Sequence, residues 1–496
     1  MNKSRTPFSL VIYGGISIFF AVVLISCGGS SGGSSSVTSN TSGLIIPEDI
    51  PPGFGYPGVQ VALQSFADVY ALEDMRTHSW NLWGGMTSPS SSSYGGSVLP
   101  IWDTWCGTQE VFVNQSCAIL SALARGFEAP TQHTHLINQG VATPTANTQV
   151  VSFNKYNPAM ANYLMQPQKL NGINYNATDG NSLVALNASW PINTPIANRS
   201  IVQAPYTPTN GSLQGSAAIE TKPVMLLIKA QGLTAMPLWR GPSDSWNPSN
   251  PTPETWKTCI LLDPSNQGAS STVPVPYNPS VHSGIINRQN TDNGLRGQTA
   301  GCSSSNYLYA PIGIIYTFML SADSAVAFNN AQGGNAVAGD YAAVVAMHVS
   351  TKEISNWTWQ TFWWQPGADT PDGFPGSKLS MTDKVKGPWR NFAMCNAWSQ
   401  TKGIGSNQMN VCFDPYLETS PGIPVGITSN CVSCHGLATV GVAQANPVFP
   451  MSSLSYPMSY TTPIDFNGAQ FGAYTKLDFA WSIQNNASPP TLKTGK

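Results

Sequence analysis

The sequence carries very little charge. Only 9% of its 496 residues are Asp, Glu, Lys or Arg, against about 25% in an ordinary soluble protein. The formal net charge is −2, and no basic stripe is present. Nucleic-acid binding depends on such stripes, so we expect no nucleic-acid partner. The scarcity of charge also gives weak long-range steering of charged partners.

The composition nevertheless predicts a folded chain. Hydrophobic residues make up 41% of the sequence, and the aromatic 10% includes 15 Trp. These values exclude a disordered chain. Strand-like runs between Pro, Asn and Gly turns occupy much of 95–360, in particular 148–153, 217–230, 308–319 and 341–350. Helical spacing predicts helices over 66–83 and 476–486.

We therefore expect an α+β fold. The main body, over 46–425, is predicted to be rich in strands and loops, and a partly helical segment over 426–496 is predicted to pack onto it. The Trp-rich run 357–364 is interpreted as core packing, with an aromatic ligand platform as the alternative.

The N-terminus predicts export. Lys3 and Arg5 precede an apolar stretch that ends in Leu-Ile-Ser-Cys at Cys27. This pattern resembles the lipobox of bacterial lipoproteins, in which the Cys at this position is acylated and becomes the mature N-terminus. The expected organisation is a signal peptide over 1–26 and a lipidated Gly/Ser-rich tether over 27–45. An uncleaved membrane helix with an incidental Cys is the alternative.

The same pattern predicts a location in the cell envelope. Gly28 follows Cys27 with no Asp behind it, which is compatible with sorting to an outer membrane. The membrane would then be contacted through the N-terminal lipid only.

Six of the nine cysteines are disulfide candidates. They are Cys106, Cys117, Cys259, Cys302, Cys395 and Cys412, and an even number in an exported chain favours disulfides. Six cysteines allow 15 pairings, and the sequence does not decide among them. Pairing of nearest neighbours is our working prediction, with buried thiols as the alternative.

The strongest chemical signal is the run Cys431-Val-Ser-Cys434-His435. C-x-x-C-H is the attachment pattern of c-type haem. Two thiols on one turn can reach both vinyl groups of a porphyrin, and the following His435 lies under the iron as its proximal ligand. We therefore expect one covalent haem c. The alternatives are a redox-active CxxC, which needs a βα context, a zinc half-site, which needs two more ligands at short spacing, and a disulfide.

An electron carrier usually has a protein ligand at the sixth coordination position of the iron, whereas a catalytic haem leaves that position open. No His follows the motif, but Met451 and Met458 do, each beside a Pro. A small cytochrome c usually supplies its distal Met from such a loop. His348 is the third candidate, because an imidazole inside an apolar strand needs a partner, either iron or a backbone carbonyl. His133 and His135 are more typical of a solvated loop.

Several segments resemble a large bacterial family described as cytochrome c family proteins with one C-terminal haem motif. The resemblance spans nearly the whole mature chain. It implies a haem, slightly favours His348 as distal ligand, and implies no particular reaction. The matching segments are 79–83, 98–105 with 110–112, 215–222, 347–353 with 357–362, 417–418, 431–435 and 478–481.

Three functions remain open on these grounds. The first is an electron-transfer cytochrome that exchanges electrons with a redox partner protein or a small-molecule donor or acceptor. The second is a peroxidase- or oxygenase-like redox enzyme with a substrate pocket in the large body. The third is a binding lipoprotein with a sensory or structural haem. No catalytic acid or base can be assigned from the sequence.

Overall fold

The structure is a computed structural model, and the predicted N-terminal features lie outside the residues it describes. Cys27 and its tether, His133, His135, Met451 and Met458 also lie outside them. No helix among the described residues combines the length and apolar character needed to cross a bilayer. The described residues are 45–94, 97–117, 151–170, 172–188, 216–249, 251–287, 302, 307–332, 335–369, 374–419, 428–441, 463–468, 471 and 474–488.

The described helices are short and scattered along the chain. The predicted helix over 66–83 is in fact two helices, because Tyr70 adopts a left-handed conformation (φ 56°) that ends the first of them. The helices are α1 (Gln60–Val69), α2 (Leu72–Met86), α3 (Pro158–Met165), α4 (Gly180–Ala188), α5 (Ala322–Gln332), α6 (Pro415–Glu418), α7 (Cys431–His435) and α8 (Trp481–Asn486).

Strands are distributed along the whole body, as predicted. The runs predicted over 217–230 and 341–350 each form one long strand, whereas Pro311 and a short 3-10 turn divide 308–319 into two. The strands are β1 (Pro89–Tyr94), β2 (Ser97–Pro100), β3 (Cys106–Gly107), β4 (Val151–Ser152), β5 (Lys155–Tyr156), β6 (Gln168–Leu170), β7 (Ile173–Tyr175), β8 (Ile219–Ile228), β9 (Leu233–Pro237), β10 (Cys259–Asp263), β11 (Val275–Pro276), β12 (Ile286–Asn287), β13 (Tyr307–Pro311), β14 (Thr317–Met319), β15 (Tyr341–Thr351), β16 (Thr358–Trp364), β17 (Phe392–Asn396), β18 (Thr439–Gly441) and β19 (Tyr474–Lys476).

The largest sheet organises the molecule. Its path is β17-β16-β15-β8-β5-β3, with β14 beside β15 and β4 beside β8. The central strands β8, β15 and β16 are antiparallel. A second sheet, in the order β11-β13-β10-β9-β12, and three two-stranded pairs complete the described strands. This mixture of helices with mainly antiparallel sheets confirms the α+β fold class.

One face of the large sheet packs on α2. The Phe362 ring stacks on Trp83 at 4.2 Å between centroids and meets Trp80 edge-on at 5.4 Å. Every residue of β16 is buried, so the interpretation of the Trp-rich run as core packing is confirmed. The opposite face carries polar groups and contacts the C-terminal motif.

The disulfides follow the nearest-neighbour prediction. Cys106 pairs with Cys117, Cys259 with Cys302 and Cys395 with Cys412. Their Cα atoms are 5.4 to 5.6 Å apart, which is normal for disulfides. The third bridge joins strand β17 to the segment that leads into α6.

Candidate functional site

The C-x-x-C-H motif forms the single turn α7. Asn430 caps this turn, because its side-chain oxygen accepts a hydrogen bond from Ser433 N at 3.2 Å. The amide of Asn430 also donates to Ser399 O at 3.0 Å. Gly436 follows the motif where a Cβ would overlap the ring of Phe466. The Asn430 cap is thus supplied locally, whereas Ser399 and Phe466 reach the turn from distant parts of the sequence.

A backbone hydrogen bond orients the His435 ring. Its Nδ1 lies 2.9 Å from the backbone oxygen of Phe479. A carbonyl oxygen only accepts hydrogen bonds, so Nδ1 carries the proton and Nε2 carries the lone pair of the neutral ring. Metal-bound histidines are typically oriented by such a bond from the second ring nitrogen.

An unusual backbone turn places the Phe479 oxygen. Both Asp478 (φ 49°) and Phe479 (φ 72°) lie in the left-handed region, which costs energy for residues other than Gly. The Asp478 carboxylate accepts hydrogen bonds from Lys352 Nζ at 2.7 Å and from Trp357 Nε1 at 3.0 Å. These bonds hold the turn against the sheet and so fix the carbonyl that orients His435.

Two tryptophans complete the surroundings of the motif. The ring of Trp359, on β16, lies 4.3 Å from the His435 ring between centroids. Trp481, the first residue of α8, donates from Nε1 to Cys434 O at 3.2 Å. The motif is thus packed between the large sheet and the C-terminal helix.

The motif cysteines lie outside the three disulfides. Cys431 Sγ is 3.9 Å from Cys412 O, beside the Cys395–Cys412 bridge. Burial, followed by the charge of Glu418, raises the pKa of Cys431 well above its usual value. A redox-active CxxC depends on the opposite shift, toward a stabilised thiolate.

The sheet face beneath the motif is polar, and we call it the motif face. Side chains alternate along a strand, and paired residues share a face. His348 pairs with Lys222 on one side and Thr361 on the other, and Ser350 pairs likewise with Glu220 and Trp359. The motif face therefore consists of Glu220, Lys222, His348, Ser350, Trp359 and Thr361.

The His348 imidazole on this face pairs with a carboxylate. Its Nε2 lies 3.0 Å from Glu418 Oε1, on α6. Burial lowers the pKa of His348, but the charge and hydrogen bond of Glu418 outweigh it and the net shift is upward. The partner that the sequence required for this imidazole is thus, in this structure, a carboxylate.

A second carboxylate, Asp414, lies beside this pair. It accepts a hydrogen bond from Thr361 Oγ1 at 2.7 Å and caps α6 by accepting from Tyr416 N at 2.9 Å. Burial raises the pKa of Asp414 to about 7, with Glu418 adding to the increase and His348 opposing it. One imidazole therefore faces two carboxylates.

Glu220 lies on the same face, toward the C-terminal helix. Its Oε2 accepts a hydrogen bond from Ser482 Oγ at 2.9 Å. Burial raises the pKa of Glu220 to about 7, against the lowering effects of Ser482 and Lys222. Ser482 directly follows Trp481, which contacts the motif, so Glu220 is linked to the motif through two consecutive residues.

The residues present fit a covalent haem. The two thiols lie on one turn, and the neighbouring imidazole has its Nε2 lone pair set by the Phe479 bond. Within the ranges that the structure describes, no group of three or more His, Cys, Asp or Glu side chains could hold a bare metal ion. Of the candidate distal ligands, His348 is described and lies on the motif face.

The structure adds residues that sequence reasoning missed. The backbone oxygen of Phe479 accepts the His435 hydrogen bond. Asp414 and Glu220 come close to the motif because of strand register and packing. A weak signal existed for Asp414, because Asp followed by Pro is a typical helix start. Four of the segments named in the sequence analysis contribute a residue on or beside the motif face, namely Glu220, His348, Glu418 and Phe479.

A cavity of about 400 Å³ lies in the body, lined in part by Ser270, Arg390 and Asn391. None of its lining residues belongs to the motif or to the motif face.

Comparisons with known proteins add nothing to these observations. No family of known proteins matches the chain, and neither a curated protein nor a solved structure matches it.

Proposed function

We propose that the protein is a c-type cytochrome that transfers electrons at the cell envelope. In this proposal Cys431 and Cys434 hold one haem by thioether bonds, and His435 binds its iron. When bound, the haem supplies one-electron exchange between ferrous and ferric iron. The redox partner is a protein or a small-molecule donor or acceptor.

The hydrogen bond from His435 to Phe479 is the observation that carries the proposal. It orients the imidazole that would bind the iron, and it acts on the residue that follows the two thiols. Trp359 packs on the imidazole and limits its rotation. An imidazole held in one position would change little when the iron changed its oxidation state, and this would favour electron exchange.

Support for the cell-envelope location comes from the sequence. The stretch that ends at Cys27 resembles a lipobox, and residues 28–43 form a Gly/Ser/Thr tether. The three disulfides fit an oxidising compartment, and c-type haem is also attached outside the cytoplasm. We propose an outer-membrane lipoprotein whose folded part stands away from the membrane.

A redox enzyme is the second candidate, and the motif face favours it. Asp414, Glu418 and Glu220 are more carboxylates than a simple electron carrier needs. An open iron position beside such groups would allow proton transfer to a bound substrate. His348, Met451 or Met458 would fill that position in an electron carrier.

Optical spectra of the full chain separate the two candidates. The protein is produced in a host that matures c-type haem, and spectra are recorded with and without cyanide, azide or carbon monoxide. An electron carrier gives a low-spin spectrum that these ligands leave unchanged. Prompt ligand binding would instead support the enzyme and contradict the carrier.

Two variants tie the spectrum to the motif. Cys431→Ala combined with Cys434→Ala removes both thioether bonds, so the denatured protein should retain no haem. Ser433→Ala changes a residue inside the motif but keeps both thiols, so it should retain the haem. If both variants lost the haem equally, the loss would reflect disturbed folding rather than attachment.

A further inference from the structure

Glu220 is a titratable carboxylate that the proposed electron transfer leaves without a role. It lies on the motif face, and its carboxylate accepts the Ser482 hydroxyl at 2.9 Å. The preceding residue, Trp481, donates to the backbone oxygen of Cys434. Two consecutive residues of α8, Trp481 and Ser482, therefore connect the motif to this carboxylate.

Binding of an electron and binding of a proton at neighbouring sites affect each other reciprocally. An added electron makes the site more negative, and a nearby negative charge favours the protonated form of a carboxyl group. A proton bound at that carboxyl in turn favours the added electron by the same amount. The effect grows as screening by water decreases, and Glu220 is half-buried on this face.

We propose that Glu220 takes up a proton when the haem held by Cys431, Cys434 and His435 gains an electron. The reduction potential of the protein therefore depends on pH. This inference rests on the proposed function, because it requires the haem.

The step balances with a one-electron donor and water as the only other reactants. The donor supplies one electron, which converts ferric to ferrous iron. One proton from solvent forms an O–H bond on the Glu220 carboxylate. No covalent bond of the protein breaks, and oxidation returns the proton to solvent.

Several other charged or titratable groups lie around Glu220. Lys222 lies on its own strand, and Tyr156, its register partner on β5, has a pKa raised by burial and by the charge of Glu220. The face also carries His348 with Glu418 and Asp414. The Lys352–Asp478 pair lies near the end of β15, and α8 contributes the Ser482 hydroxyl.

The proton is assigned to Glu220 because hydrogen bonds of Ser482 and Trp481 join its carboxylate to the motif. Burial also raises the pKa of Glu220 to about 7. Reduction moves that pKa further upward, and the protonation change then falls in the physiological range. Asp414 has a similar pKa, but in the described part of the chain its carboxylate is hydrogen-bonded to Thr361 and Tyr416, not to a residue of α8.

The test is a redox titration of the full haem-bearing chain between pH 5 and 9. For the wild type we expect the midpoint potential to fall with pH, approaching about 59 mV per pH unit where one proton accompanies one electron. For Glu220→Gln we expect this slope to fall by at least half. Glu73→Gln, an exposed carboxylate on α2, should keep the full slope.

A second readout follows the proton directly. In redox-difference infrared spectra, a protonated carboxyl band should appear on reduction of the wild type and be absent from Glu220→Gln. If Glu220→Gln fails to fold, Ser482→Ala provides the test. It removes a hydrogen bond that favours the charged form, so the sloped region should move to higher pH.

Failure of this inference is distinguishable from failure of the proposed function. A protein without haem gives no redox signal in any variant. A haem-bearing Glu220→Gln variant that keeps the wild-type slope, or a Ser482→Ala variant whose sloped region does not move, would overturn the assignment to Glu220.

Discussion

Two His–Glu pairs in this protein have similar distances and different surroundings. His78 and Glu353 are 3.1 Å apart, with side chains 9% and 0% exposed, whereas His348 and Glu418 are 3.0 Å apart and 23% and 14% exposed. Glu353 also accepts hydrogen bonds from Gly58 N and Thr351 Oγ1. In the first pair, additional hydrogen bonds satisfy the glutamate. In the second pair, the imidazole also feels the charge of Asp414.

The difference shows what separates a structural ion pair from a titratable site. Burial alone would raise the pKa of Glu353, but His78 and the neighbouring hydrogen bonds lower it overall. Beside the motif face, burial and the charge of Glu418 raise the pKa of Asp414 to about 7, and the charge of His348 does not offset them. The balance of charge, rather than the pair distance, decides which region can exchange protons near neutral pH.

Truncation of the two glutamates, Glu353 and Glu418, should give the largest difference in the free energy of unfolding between the two regions. Glu353→Ala leaves the buried His78, Gly58 N–H and Thr351 without their acceptor, so we expect a loss of about 3–5 kcal/mol in the free energy of unfolding. Glu418→Ala should cost less than about 2 kcal/mol, because Asp414 and water can replace its interactions. Urea unfolding at pH 7 measures both, and equal losses would contradict the distinction.

The pH dependence of stability should differ in sign between the two regions. The raised pKa of Asp414 means that the folded state holds more protons than the unfolded state between about pH 4 and pH 7. Stability therefore falls as the pH rises through this window. Glu353, whose pKa is lowered, contributes stability that is present above its unfolded pKa and lost as the pH falls through its folded pKa.

Asp414→Asn tests the sign. The variant should be more stable than the wild type at pH 8, by about 1–3 kcal/mol, because it removes a charge that the site disfavours. At pH 4 the difference should largely vanish. Thermal unfolding across this range gives the measurement, and a variant profile parallel to that of the wild type would count against the assigned pKa.

The smallest expected effect is at His348. Its raised pKa means that its contribution to stability is complete below its unfolded pKa and is lost as the pH rises through its folded pKa. His348→Gln should therefore cost about 1 kcal/mol at pH 6 and less at pH 9. Melting temperatures at the two pH values check this, and a greater cost at pH 9 would reverse the interpretation.

Local patterns predicted much of the fold. The apolar, β-rich runs that became β8 and β15 were recognisable from composition, and the disulfides joined nearest neighbours. The break at Tyr70 was not predictable, because a left-handed conformation of a non-Gly residue leaves no pattern in the sequence. Pro311 gave a visible reason to divide the run 308–319.

The candidate site was predictable only in its local part. The motif turn and its Asn430 cap lie within six consecutive residues. The bond from His435 to Phe479 spans 44 residues, and the contact of His348 with Glu418 spans 70. Such contacts depend on strand register and on a strained turn at 478–479, which spacing alone does not reveal.

The central claim is that two thioether bonds and one imidazole hold a haem on α7. The most direct test is the intact mass of the full chain, made in a host that matures c-type haem, after denaturation and extraction with acidified acetone. The account predicts a coloured protein whose mass exceeds that of the processed polypeptide by one haem. A colourless protein at the polypeptide mass would contradict it.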